Sequence, residues 1–391
     1  METRPELAIS RRSLIKSAAV ATTALAVPQL LAQAAPKKIL VGNGTTDGIL
    51  AFAWDAATGE LKPEGVAAKI GHSTWLDFSP DRRYLYVASE VDQFEGQPSG
   101  AVGSFSFSGG KFTPLSLVAS HGGGTCHLTT DHTGRVVICA NYSGGSASSY
   151  LPKDGKLGEA VWTERYKGTG PVADRQEAAH AHFASFSPNN QFAYINDLGA
   201  DKIHIYRLNT ATGVLTPAGA YNAKPGDGPR TLHFHPTEKI AYCVNELNST
   251  VTVLRWSAAD GSLTPIQTVN LLPDGVAPRH GKITNTGCDA ILTGDGRFIY
   301  FANRGDDFIM AFEIETGSDA GRLKPFKGTA RTSSGGVTPR NFRLDPTERW
   351  MLVANQNSSN LSVFARDPKT GQLSNQGKNY PCPTPMCIVF V

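Results

Sequence analysis

A 391-residue chain with a formal charge of +3 and no contiguous basic stripe lacks the electrostatic footprint of a nucleic-acid-binding protein, so nucleic acid is not an expected partner. Forty glycines and 24 prolines within a 40% hydrophobic composition call for many turns. Beyond residue 35 no long amphipathic helical pattern interrupts them, which excludes a helical solenoid.

Residues 1–35 read as a leader rather than as part of a fold. Ser10-Arg11-Arg12-Ser13-Leu14-Ile15-Lys16 resembles the twin-arginine export consensus, a modestly apolar run follows over Ala18–Leu31, and Ala32-Gln33-Ala34 fits a small-x-small cleavage site. The apolar run is too short and too weak for a membrane span. The expectation is cleavage of residues 1–35, export of the folded remainder by the twin-arginine machinery, no stable membrane anchor, and a periplasmic location.

From there the chain repeats. Ile39–Gly44 (ILVGNG) is an isolated apolar run. Six longer units follow: WLDFSPDRRYLYVASEVD from Trp75, CHLTTDHTGRVVICANYSGG from Cys126, HAHFASFSPNNQFAYINDLGADKIHIYRLNTATGVLTP from His180, GDGPRTLHFHPTEKIAYCVNELNSTVTVLRWSAADGSLTP from Gly226, CDAILTGDGRFIYFANRGDDFIMAFEIE from Cys288, and TPRNFRLDPTERWMLVANQNSSNLSVFARDPKTGQL from Thr338. Their short β-branched or aromatic runs, separated by turn residues, read as four-stranded antiparallel meanders. One meander cannot bury both faces, so neighbours of the same kind must cover it. The residue ending the second run falls at Asn43, Ser89, Asn141, Asn196, Asn245, Asn303 and Asn355, at intervals of 46 to 58 residues, the period of a propeller blade.

The first unit starts at its second run, and Thr384–Val391 (TPMCIVFV) matches only an opening run. The sequence therefore predicts an all-β, seven-bladed β-propeller over residues 36–391. Its ring is closed by the C-terminal strand pairing into the N-terminal blade, which removes exposed strand edges. Cys126, Cys139, Cys243, Cys288, Cys382 and Cys387 show no zinc spacing. Cys139 and Cys243 fall within second runs as small buried hydrophobes, and Cys382 and Cys387 share one extended segment where bridging is geometrically poor. No blade carries an acidic calcium-loop cluster, so neither a metal nor a cofactor is expected.

In a propeller the first strand of every blade lines the central channel. The aligned opening positions are Thr74, Cys126, His182, Arg230, Cys288, Arg340 and Met386; those following the second run are Gly44, Glu90, Tyr142, Asp197, Glu246, Arg304 and Gln356. Blades four to seven thus carry His182, Arg230, Glu246, Arg304 and Arg340 in equivalent places, and the other blades carry mostly neutral residues. A purely structural scaffold does not account for that asymmetry.

His180-Ala181-His182, Gly228-Pro229-Arg230, Asn245-Glu246-Leu247, Asn303-Arg304-Gly305 and Thr338-Pro339-Arg340-Asn341 resemble, in order, the blade motifs of the seven-bladed lactonase family. That family includes propeller 6-phosphogluconolactonases and fungal carboxy-cis,cis-muconate cyclases. The resemblance covers nearly all of residues 38–391 and implies a catalytic cluster of His182, Arg230, Glu246 and Arg304.

The residues themselves support such chemistry. Opening a lactone puts negative charge on an acyl oxygen and moves a proton. Arg230 and Arg304, together with Arg340, suit bidentate binding of a substrate carboxylate or phosphate and stabilisation of the developing oxyanion. His182 or Glu246 acts as general base on water; His180 and His127 are further substrate-binding candidates. The plain structural reading of these charges is interblade ion pairing with Glu246 or Asp197. No Gly-x-Ser-x-Gly elbow supports a serine nucleophile. His233, His235 and the strand-end asparagines read as structural, and two longer loops, Val91–Gly100 and Gly158–Gln176, are placed to overhang a channel mouth. Arg175-Gln176-Glu177 leads from the second loop into the histidine pair and is placed to help line the site.

The expected function is a monomeric lactonase-type hydrolase acting on a sugar lactone such as gluconolactone or 6-phosphogluconolactone. Export favours unphosphorylated aldonolactones or aromatic-derived lactones over the phosphorylated one. The alternatives are a carboxymuconate-type lactonizing cyclase and a propeller that binds a partner without turning it over.

Overall fold

A strand whose successive side chains are all apolar is stable only between two apolar neighbours. Ile240–Asn245, the second strand of blade five, is such a strand, with every residue buried. Ile240, Tyr242 and Val244 pack with Ile299, Phe301 and Phe312 of blade six, while Ala241 and Cys243 pack with Phe192, Tyr194 and Ile203 of blade four. The same division recurs around the ring and produces seven apolar clusters, one at each junction between blades. Buried tyrosines repeat a second device. Tyr194, Tyr242 and Tyr300 each donate their hydroxyl to a turn carbonyl of the next blade, those of Gly261, Gly321 and Gly371, at 2.6–2.9 Å.

The computed structural model describes residues 37–273, 276 and 285–391; the expected leader lies outside them. Those residues form seven antiparallel sheets. Pro385–Phe390 pairs with Lys38–Asn43 and closes the ring, as the split repeat predicts. Trp162–Arg165 is the outer strand of blade three, so part of the segment read as a mouth loop belongs to the sheet. The outer edge of blade six is split between Leu323–Pro325 and Arg331–Ser333, both paired with Phe308–Ile314.

The first strands carry the feature that places the site. In six blades the extra residue of a β-bulge is Thr74, Cys126, His182, Arg230, Arg340 or Met386, and in blade six the bulge takes in Cys288 and Asp289. A bulge re-aims the side chain that it frees from the ladder, and these are the opening positions aligned in the sequence. The inner edge of a first strand has no partner strand, so side chains of neighbouring blades satisfy it. Cys126 Sγ lies 3.3 Å from His182 O, Arg230 Nη1 donates to Cys288 O at 2.6 Å, and Cys288 Sγ lies 3.1 Å from Arg340 O. Deeper in the channel, Thr130 N donates to Asp77 Oδ2, Ala184 N to His127 Nδ1, and Ile388 N to Asn341 Oδ1.

Blade four corrects the sequence alignment by one residue. Its second strand ends at Asp197, which pairs with Ala181 as Asn245 pairs with Pro229. Asp197 Oδ1 accepts from the His180 and Ala200 amides at 2.8 and 3.1 Å. A carboxylate here performs the turn-closing task that Asn43 performs for the Thr45 amide. Leu198, not Asp197, therefore occupies the position of Glu246, and blade four places no charge at that point of the mouth.

Candidate active site

Glu246 follows the second strand of blade five directly and is fixed there by its amide, which donates to Gly228 O at 2.8 Å. Its side chain is only 2% exposed. A buried carboxylate needs opposite charge, and three guanidiniums supply it. Arg230 Nε donates to Oε2 at 2.8 Å, Arg304 Nη2 lies 2.9 Å from the same oxygen, and Arg175 Nη2 donates to Oε1 at 2.5 Å. Burial alone would raise the Glu246 pKa, but Arg304, Arg175 and Arg230 hold it well below the usual carboxylate range. Glu246 is therefore held as the anion near neutral pH.

His182 projects from its bulge in blade four beside this cluster. Burial, reinforced by the charges of Arg230, Arg340 and Arg304, pushes its pKa well below the ordinary histidine value, so the imidazole is neutral. Its Nδ1 is buried without a hydrogen-bond partner among the described residues, and so is Arg304 Nε. Tyr142 links the two halves of the cluster. Its ring meets His182 edge-on at 5.6 Å, and its hydroxyl accepts from Arg175 Nη2 at 3.3 Å.

His180 supports Tyr142 rather than facing the carboxylate. It stacks on the Tyr142 ring at 4.4 Å, with Nδ1 3.0 Å from Tyr142 O and Nε2 3.1 Å from Glu177 Oε1. Arg340 reaches from blade seven toward blade two, 3.6 Å from Glu90 and 3.5 Å from Gln356 Oε1. The structure does not bring His127 to this group. His127 pairs with Ala140, one step below the bulge residue Cys126. That step turns it down the channel, where it lies between Trp75 at 4.4 Å and Phe183 at 3.8 Å.

Arg175 is the member that the repeat could not reveal, because it lies on a loop outside the blade pattern. Gln176, fully buried, pins that loop by donating from Nε2 to Leu198 O at 2.9 Å. The only sequence signal was the run Arg175-Gln176-Glu177 leading into the histidine pair.

The channel has a second end, where a cavity of about 420 Å³ lies beyond the rings of Trp75, His127 and Phe183. Two of its lining residues, Arg343 and His233, lie 3.4 and 3.2 Å from the buried carboxylate of Asp289. At the first mouth, by contrast, Arg175, Arg230, Arg304 and Arg340 face, among the described residues, only the carboxylates of Glu246 and Glu90. Uncompensated guanidiniums beside a neutral, unpartnered imidazole are equipped to bind an anion and to accept a proton from water. Chemistry rather than volume thus marks the charged mouth as the candidate active site. His235 caps its own turn, accepting at Nδ1 from the Thr237 and Glu238 amides and meeting Gly296 O through Nε2. Among the described residues no group of three or more His, Cys, Asp or Glu side chains is arranged to hold a metal ion.

Residues 38–390 match the family described as lactonase, 7-bladed beta-propeller. A 6-phosphogluconolactonase of Bacillus subtilis is 34% identical over 89% of this chain and 96% of its own length. One of Formosa agariphila is 30% identical over 83% of this chain and 90% of its own. A solved structure of a periplasmic gluconolactonase of Pseudomonas aeruginosa shares 33% identity, covers 90% of this chain and 98% of its own, and superposes with a TM-score of 0.82. A match that runs from the first strand of the ring to the last leaves one conclusion: this chain belongs to the seven-bladed β-propeller lactonase family.

Proposed function

We propose that the protein hydrolyses a sugar lactone, glucono-δ-lactone being the representative substrate, at the mouth built from His182, Arg230, Glu246 and Arg304. One observation carries this reading: Glu246 is locked as an anion by three arginines, while the neighbouring His182 is held neutral with a ring nitrogen free. It supports a division of the two roles. Glu246 orients the guanidiniums, and His182 takes the proton.

Water hydrogen-bonded to His182 attacks the lactone carbonyl as its proton passes to the imidazole. Arg304 and Arg230, fixed in advance by Glu246, face the oxygen on which charge develops. The proton then returns from His182 to the ring oxygen as the acyl–oxygen bond breaks. The carboxylic acid so formed releases its remaining proton to solvent, and the carboxylate is left against Arg304 and Arg340, where the excess positive charge retains and orients it. Membership of the lactonase family and the relatives named as 6-phosphogluconolactonases support the reaction class. The twin-arginine pattern of residues 10–16 and the similarity to a periplasmic gluconolactonase favour an unphosphorylated aldonolactone met outside the cytoplasm.

Steady-state assays on glucono-δ-lactone, its 6-phosphate and carboxymuconate, with wild type, Arg230→Ala and His182→Ala, test the proposal. The expected result is highest kcat/KM on glucono-δ-lactone and a loss of at least about 100-fold in both variants. Equal rates in all three proteins would reassign the mouth to ligand binding without turnover.

A further inference from the structure

The opposite end of the channel has the build of a binding site in its own right. The cavity of about 420 Å³ lies within the size range of small-ligand pockets, and the rings of Trp75, His127 and Phe183 lie between it and the charged mouth. Its polar groups come in both senses. Ser185 Oγ is buried with no hydrogen-bond partner among the described residues. Arg343 is engaged through Nη1, with Phe342 O at 2.9 Å and Asp289 Oδ2 at 3.4 Å, which leaves its other N–H groups for a ligand. Asp77 receives Thr129 Oγ1 and Thr130 N on a single oxygen, Oδ2. Phe183 and Ile291 supply an apolar wall.

Charge separates this cavity from the first mouth. Arg343 is matched by the neighbouring Asp289 at 3.4 Å, and the lining residue Asp77 adds a second carboxylate, so no cationic excess waits for an anion. Donors and acceptors side by side, with an apolar wall, fit hydroxyl groups, which need both, on a ring that offers one C–H face. We propose that this end of the channel is a second binding site, for an uncharged, hydroxyl-rich ring of monosaccharide size. The proposal does not rest on the reading of the charged mouth.

The test is a calorimetric titration of the full chain with D-glucose, read in parallel by tryptophan fluorescence. Wild type and Arg304→Gln are expected to bind one glucose with the same affinity. Thr129→Val, which keeps the side-chain shape, and Ser185→Leu, which fills the cavity, are expected to bind it about threefold to tenfold more weakly or not at all. The fluorescence change should disappear in Trp75→Phe, a readout that does not require Ser185→Leu to fold. No binding in wild type up to about 100 mM glucose would overturn the proposal. So would binding lost in Arg304→Gln but kept in Thr129→Val and Ser185→Leu, which would assign glucose to the charged mouth.

Discussion

Replacing Glu246 by glutamine keeps the side-chain shape and removes the negative charge shared by Arg175, Arg230 and Arg304. Removing one partner of a buried ion group leaves the others uncompensated, at a cost of about 3–5 kcal/mol. For a ring of roughly 355 residues, the usual unfolding entropy of about 2.1 cal/mol/K per residue sums to about 0.75 kcal/mol/K, so a loss of about 4 kcal/mol lowers Tm by about 5 °C. The sign with pH follows from the depressed pKa. The folded carboxyl titrates well below its ordinary value of 4.5, so its contribution is complete above that value and drains away as pH falls toward the folded pKa. The loss runs at about 1.4 kcal/mol per pH unit between the two pKa values. Scanning calorimetry of wild type and Glu246→Gln should therefore show a constant Tm gap between pH 6 and 8 that narrows below about pH 4.5. A gap under about 1 °C at pH 7, or one of equal size at pH 7 and pH 3, refutes the buried-anion argument.

His182→Gln should lower kcat/KM by about 10²- to 10⁴-fold. The wild-type rate should stay flat from pH 6 to 8, because the depressed His182 pKa moves the loss of the neutral base to lower pH; a titration centred near 6.5 contradicts this. Arg230→Lys loses the planar fork by which Arg230 reaches Glu246 and the Cys288 carbonyl from two separate nitrogens, and should cost about 100-fold in kcat/KM, wild-type turnover being the contrary result. The six cysteines are free and buried, and burial pushes thiols such as Cys139 and Cys387 up to about 12. Ellman's reagent at pH 8 should therefore find no fast-reacting thiol in the native protein and six after denaturation; rapid native labelling contradicts the packing.

The ring was legible because its physical requirements recur. Second strands such as Ile240–Asn245 must be apolar on both faces, which leaves a run that can be aligned from blade to blade. The strand borrowed from the C-terminus showed as a mismatch between the two ends of the repeat. The mouth was legible for a related reason, since the bulge falls at one fixed place in each first strand. The failures come where a different residue performs the same physical task, or where the repeat is silent. Asp197 accepts turn amides as the strand-end asparagines do, so matching Asn196 to them shifted blade four by one position. His127 sits one residue past its bulge, and in a first strand that single step separates the mouth from the interior of the channel. Arg175 belongs to a loop with no counterpart in other blades, and only folding brings it to Glu246.

On the proposed reading the guanidinium-rich mouth, and not the cavity at the other end of the channel, receives the reacting lactone. A crystal structure with gluconate, the product acid, tests it most directly. The carboxylate is expected within hydrogen-bonding reach of Arg304 and Arg340, with His182 Nδ1 turned to the carboxyl carbon or to a water beside it. Gluconate seated instead among Asp77, Ser185 and Arg343, with the charged mouth empty, would contradict it.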